Sequence, residues 1–174
     1  MPTLDASVAQ CRIFTFKEGV LSAVAHDLEI DVTRFTLQVE EQRKLSARFA
    51  ADSLRVLHAM RDGQPTSQLS AGDRAKIEKT LGEEVLDVRR YPDIRFEATA
   101  TPDGDGFAVT GELVLHGKAR PLTARALPKA GRLVAEVTLH QPDFGIKPYS
   151  AMLGALKVRP DVKVRLSVPW PLPA

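Results

Sequence analysis

A single cysteine, Cys11, occurs in the 174 residues. No intramolecular disulfide can form, and the fold needs no oxidising compartment. Aromatic residues make up only 6% of the chain, too few to fill a large core with rings. Charge of one sign is scarce as well: 24 Lys and Arg stand against 22 Asp and Glu. That dispersed excess does not argue for a nucleic-acid partner. No apolar run is long enough for a transmembrane segment; Val20 to Ala25 is short and contains Ser22. Met1 to Gln10, MPTLDASVAQ, has neither the basic start nor the apolar run of a secretory signal. The expected location is cytoplasmic, or periplasmic if a leader has been removed.

Catalytic and metal signatures are also missing. No Gly-x-Ser-x-Gly elbow or phosphate-binding glycine loop occurs. The four histidines show no metal-ligand spacing. Asp103-Gly104-Asp105-Gly106 begins like a calcium loop, but Val114 stands where the bidentate Glu belongs. We therefore expect no cofactor and no metal.

What is present is period-two alternation, the mark of strands with one buried face. Leu28, Ile30 and Val32 alternate with polar residues, and Phe35, Leu37 and Val39 do so in the opposite parity. A regular strand cannot change faces, so a bend or break is required near Thr33–Arg34. Further stripes run through Leu45, Ala47, Phe49 and Ala51; Ile94, Phe96, Ala98 and Ala100; and Phe107, Val109, Leu113 and Leu115. Leu133, Ala135, Val137 and Leu139 form another, and Val162, Val164, Leu166 and Val168 the last. Leu122 to Leu127 reads as a shorter, weaker strand, and Met60 to Leu69 as a polar loop.

Two segments depart from this pattern. Ile77, Leu81 and Val85 recur every four residues behind a Ser70/Asp73 capping pair, which predicts a helix over 70–85. Tyr149, Met152, Leu153 and Leu156 also fall at helical spacing after Pro148, although Gly154 opposes a helix there. The fold class is all-β with one or two short helices, a barrel or a sandwich. The stripes mix large residues with alanines, so composition leaves a hollow and a filled barrel equally open.

Three segments in the right order resemble the YceI-like family. They are Asp87 to Phe96 (DVRRYPDIRF), Val109 to Pro121 (VTGELVLHGKARP) and Gln141 to Ile146 (QPDFGI). The resemblance implies a single antiparallel, lipocalin-like β-barrel domain of about eight strands over residues 1–174. It also implies a long cavity for a polyisoprenoid or similar lipid, and no catalytic centre. The segment VAHDL, Val24 to Leu28, departs from the family's commoner pattern.

The ligand-binding residues expected on this basis are Phe49, Phe96, Phe107, Val109, Leu113, Val137, Leu139, Phe144, Tyr149, Met152, Leu153 and Leu166. Asp143 to Leu156 is expected to gate the cavity. The expected partner is an isoprenoid or other lipid-like small molecule, with no nucleic acid; a homodimer is compatible with the sequence. The protein is expected to be a non-catalytic carrier or sensor of an isoprenoid, quinone or fatty-acyl ligand. Two alternatives stand beside that reading. One is an enzyme acting on a lipid-like substrate, with His26 and Asp27 at the barrel mouth. Against it, successive strand residues point to opposite faces. The other is a stress-related interaction protein with a filled barrel.

Overall fold

The computed structural model describes residues 2–19 and 26–174, without the side chains of Met152 and Leu156. In chain order the strands are β1 (Thr3–Asp5), β2 (Gln10–Thr15), β3 (Lys17–Glu18), β4 (Asp27–Val32), β5 (Phe35–Val39), β6 (Lys44–Ala50), β7 (Leu54–Arg61) and β8 (Gln64–Thr66). After α1 (Ala71–Thr80) come β9 (Asp93–Asp103), β10 (Gly106–Leu115), β11 (Lys118–Lys129), β12 (Arg132–His140), β13 (Ser150–Ala151), β14 (Leu156–Val158) and β15 (Asp161–Pro169).

Among the described residues, one twelve-stranded sheet runs in the order β1-β5-β6-β9-β10-β11-β12-β15-β2-β4-β7-β8. Every pairing in it is antiparallel. Twelve exceeds the expected eight or so for a physical reason. β4 and β5 are one strand broken at Thr33–Arg34, and β6 and β7 are one strand broken by a 3-10 turn at Ala51–Ser53. Both bend at the same corner. There the Thr33 amide donates to the Ser53 carbonyl (2.9 Å), and the Ala50 amide donates to the Arg34 carbonyl (3.0 Å). β4 pairs with β7 and β5 with β6, so the bent pair carries the sheet round upon itself. β1 and β8 are short additions at the ends. The break at Thr33–Arg34 is the one required by the parity change, and both halves bury their stripes.

The wall has one loose seam. β11 pairs with β12 only from Ala126 to Lys129, opposite Arg132 to Ala135. Lys118 to Arg125 carry no ladder on that side. Pro121 lies in this unpaired stretch, where a missing backbone donor costs nothing. The strand is twelve residues long, not the short one expected from Leu122 to Leu127. Its other edge explains this, because it pairs with β10 along nine positions.

The helix begins as expected. The Ser70 hydroxyl accepts from the Asp73 amide, and the Asp73 carboxylate accepts from the Ser70 amide. It then loosens into a π turn at Leu81–Val85. It sits against β7 at a bulge, where pairing steps from Glu29↔His58 to Ile30↔Val56 and skips Leu57. The bulge frees the Val56 amide and the Leu57 carbonyl. Glu78 accepts the first at 2.9 Å and Arg74 donates to the second at 3.3 Å.

Two further expectations are corrected. Met60 to Leu69 is not merely a loop, since β8 folds back on β7. Pro148 to Lys157 is not an α-helix: β13 and β14 pair there around a 3-10 turn at Met152–Gly154, and β14 pairs with β3. Leu153 and Gly154 have φ of 56° and 86°, left-handed values that end any helix. The apolar run at 20–25 lies outside the described residues.

Candidate functional site

The inward stripes enclose a cavity of about 750 Å³. This lies within the range of small-molecule pockets. Its border is overwhelmingly apolar and draws on strands around the whole wall, with Ile77, Leu81 and Val85 closing in from the helical segment. Four phenylalanines from the expected set, Phe49, Phe96, Phe107 and Phe144, border it. So do Val109, Leu113, Val137, Leu139, Tyr149 and Leu166.

Leu153 does not. Its side chain is fully exposed at the left-handed turn and points away from the cavity. It is the one expected residue with a described side chain that is not on the cavity border. The side chain of Met152 lies outside those described. Missing from the expected set were Ile13, Leu28, Leu45, Ala124, Ala126 and Val164, all of which border the cavity. The same alternation marks Leu28, Leu45, Ala124, Ala126 and Val164, whereas the faces of the stretch that holds Ile13 are ambiguous in the sequence. Nothing in the pattern distinguished their share of the wall from the others.

Cys11 also faces inward and is 3% exposed. Burial, aided by the negative charge of Asp31, pushes its thiol up to about 12. A thiol so held is a small apolar wall group, not a nucleophile.

His26 lies just before β4 and Asp27 is its first residue, and their side chains have different surroundings. His26 borders the cavity. Asp27 turns away and accepts the Lys17 backbone amide at 2.7 Å. They form no acid–base pair. A different constellation, unanticipated from sequence, joins His58 to Glu29 (2.6 Å) and Glu29 to Arg12 (3.6 Å), with Arg12 also on Asp31. Glu29 and Asp31 have the opposite parity to the buried Leu28 and Ile30, so this network lies on the outside of the wall. It is a set of cross-strand pairs between β2, β4 and β7. Among the described residues, no three His, Cys, Asp or Glu side chains gather as a metal site would require.

The three sequence segments quoted above meet at one end of the barrel. The Tyr91 ring packs on the His116 ring with centroids 4.3 Å apart. His116 Nδ1 lies 3.3 Å from the Phe144 carbonyl oxygen. A Cβ on Gly117 would come within 2.7 Å of the Tyr91 ring, and Gly117 has φ of 74°. Both facts require glycine there. Behind this corner Phe144, Ile146, Val85 and Leu113 form a buried cluster. These motif residues therefore brace one side of the barrel end; they are scaffold before they are site.

Comparison with known proteins gives the same fold. The YceI-like domain family matches residues 3–169. A UPF0312 protein of Pseudomonas putida is 34% identical over 94 residues, which is 47% of this chain and 49% of that one. The chain thus matches about half the length of such curated relatives. Among solved structures, Burkholderia cenocepacia BcnA superposes with a TM-score of 0.62 at 13% identity, covering 92% of this chain and 94% of that one. A polyisoprenoid binding domain from Saccharophagus degradans, implicated in plant cell wall breakdown, gives 0.61 at 11% identity, covering 95% of each. A Campylobacter jejuni YCEI protein gives 0.57 at 13%, covering 80% and 81%.

Proposed function

The chain belongs to the YceI-like domain family, and we propose that it binds, carries or senses a long apolar molecule of isoprenoid, quinone or fatty-acyl type, without catalysis. The observation that carries this reading is the cavity of about 750 Å³ with its apolar border. Each methylene moved from water into such a space is worth about 0.8 kcal/mol, so a long chain binds with few polar contacts. The open cavity favours this reading over a purely structural barrel. The divergence of His26 from Asp27 favours binding over catalysis at the mouth. The polyisoprenoid-binding domain from Saccharophagus degradans has this fold, which fits an isoprenoid-like occupant.

Displacement of a fluorescent lipid probe by prenyl alcohols of increasing length tests the proposal. Affinity should rise steadily with each added isoprene unit until the cavity is full. If no chain of any length displaced or bound, the proposal would be wrong.

A further inference from the structure

Among the described residues, Leu153 is the large apolar residue most exposed, its side chain entirely in solvent. A scattered leucine on a surface is ordinary. This one is held out by its backbone and by what lies beneath it. Its φ of 56° is left-handed, a conformation that glycine or asparagine takes readily and leucine seldom does. It stands at the tip of the turn between β13 and β14, above the pairs Ala151↔Leu156 and Ser150↔Lys157. β14 is fixed in turn to β3 through Lys157↔Glu18 and Val158↔Lys17. Just past β3, a Cβ on Gly19 would meet the Ala155 carbonyl oxygen at 2.5 Å, so only glycine lets the chain close in under the turn. Ala151 to Leu156, AMLGAL, carries no charge. Tyr149, before the turn, is exposed as well.

The charges around this tip are mostly of one sign. Between Phe144 and Pro160 the charged residues are Lys147, Lys157 and Arg159, with no acid. Lys147 and Arg159 are exposed, and with Lys17 on β3 they form no ion pair among the described residues. Glu18, also on β3, lies 3.9 Å from Lys157. Of the two flanking acids, Asp143 is exposed and Asp161 is engaged by His140 at 2.6 Å. The opposite end of the barrel makes the contrast. Val8, Leu127 and Trp170 are exposed there, each less than half. Acidic and basic side chains are mixed around them, as in the Asp103–Arg125 pair.

We propose that the β13–β14 turn docks the protein on an anionic phospholipid surface, with Leu153 entering the acyl region and Lys17, Lys147 and Arg159 meeting the lipid phosphates. An apolar tip with a basic surround is complementary to such a surface in both hydropathy and charge. A protein partner would call for a broader apolar face than one tip offers. The proposal rests on the binding function above and adds the surface with which the ligand is exchanged. Tyr149, Lys157 and Val158 border the cavity, so the small sheet that carries the tip is also part of the cavity wall. Long apolar chains are driven out of water, and docking here sets the cavity beside the bilayer that dissolves them.

Co-sedimentation with vesicles tests it, using phosphatidylcholine alone and phosphatidylcholine mixed with phosphatidylglycerol. The full chain should bind the mixed vesicles about tenfold tighter or more than the neutral ones, and added salt should narrow the gap. Leu153→Asp should weaken binding to the mixed vesicles about tenfold or more. The double variant Lys147→Gln/Arg159→Gln should lose most of the preference for them. Leu127→Asp, at the opposite end, should change neither. All three variants should take up a fluorescent lipid probe in solution as the wild type does, since none of these residues borders the cavity. Leu153→Cys carrying an environment-sensitive dye should shift to shorter wavelength on the mixed vesicles, Cys11 being buried and unlabelled. Probe uptake is read separately, so its loss speaks against the binding function and loss of vesicle binding against docking. Wild-type protein that takes up the probe yet ignores both kinds of vesicle would overturn the proposal. Vesicle binding that survives Leu153→Asp, or falls equally in Leu127→Asp, would overturn the assignment to this turn. A wild-type dimer that Leu153→Asp separates into monomers would overturn the membrane as partner in favour of a second copy.

Discussion

Ile30, Val32, Leu37 and Val56 are each at most 5% exposed, on the arc made by β4, β5 and β7. Further along the sheet, Leu122, Val137, Val164 and Leu166 alternate just as regularly on β11, β12 and β15, yet they remain half-buried. The difference lies in what each stripe meets. The first arc folds over at the Thr33–Arg34 corner and packs with Leu4, Ala9 and Cys11. Both arcs border the cavity, but the second contributes the small residues Ala124, Ala126 and Ala135 there, whereas Ile30, Val32 and Leu37 of the first are also closed over by that packing. Alternation reports which side a residue faces; how deeply it is buried depends on whether the opposite wall reaches it. Among the cavity-facing residues, Phe49, Phe96, Val137 and Leu166 are only partly buried, while Val109 and Leu113 are buried.

Truncation should separate the two arcs most strongly. Ile30→Ala removes packing that is already closed and should cost about 2–4 kcal/mol of stability, read as a lower urea midpoint. Leu166→Ala enlarges a space that already exists and should cost only about 1 kcal/mol. Similar losses at the two sites would break the comparison.

Enlargement should give the opposite asymmetry. Ala47 is 5% exposed in the packed arc, and Ala47→Phe should destabilise by about 1–3 kcal/mol through overpacking. Ala135 borders the cavity. Ala135→Phe should leave the urea midpoint nearly unchanged and weaken binding of a lipid probe. A marked loss of stability at Ala135 would mean that the open arc is packed after all.

Smaller effects sharpen the picture at the edges of the cavity. The inward Cys11 thiol, pushed up to about 12, should react with a thiol reagent at pH 8 only after unfolding. Rapid reaction in the native protein would place it on an accessible surface. The helix beside the mouth should respond to acid. The Ser70 amide, then its hydroxyl, hold the Asp73 carboxyl below its ordinary value of 3.8. A carboxyl lowered on folding stabilises above its unfolded value, and the gain is lost as pH falls through the folded one. Asp73→Asn should therefore lower the urea midpoint slightly at pH 7 and leave it unchanged well below pH 3.8. An equal difference at both pH values would remove the carboxylate from the account.

Much of the wall was legible in the sequence because strand alternation and helix caps are local. The corner at Thr33–Arg34 followed from parity alone, and the Ser70/Asp73 cap from residue type and spacing. The segment Pro148 to Lys157 was not legible. Tyr149, Met152, Leu153 and Leu156 imitate a helical face, whereas the backbone is fixed by pairing of β14 with β3, more than a hundred residues away in the chain. The basic residues on the cavity border were hidden for the same reason. Lys17, His26, Lys76 and Lys157 come from four separated segments, and only the fold brings them together. The site's apolar border was legible as stripes, but its hollowness was not, since a stripe reads the same whether or not another faces it.

The central claim is that the open arc surrounds a space occupied by an apolar chain in use. Mass spectrometry of organic extracts tests it most directly, with wild-type protein and the Ala135→Phe variant purified side by side from the same host. The account predicts a co-purifying long-chain lipid in the wild-type extract, near one per protein, and a large reduction in the variant. Equal amounts of lipid in both extracts, or none from wild-type protein that also fails to take up added chains, would contradict it.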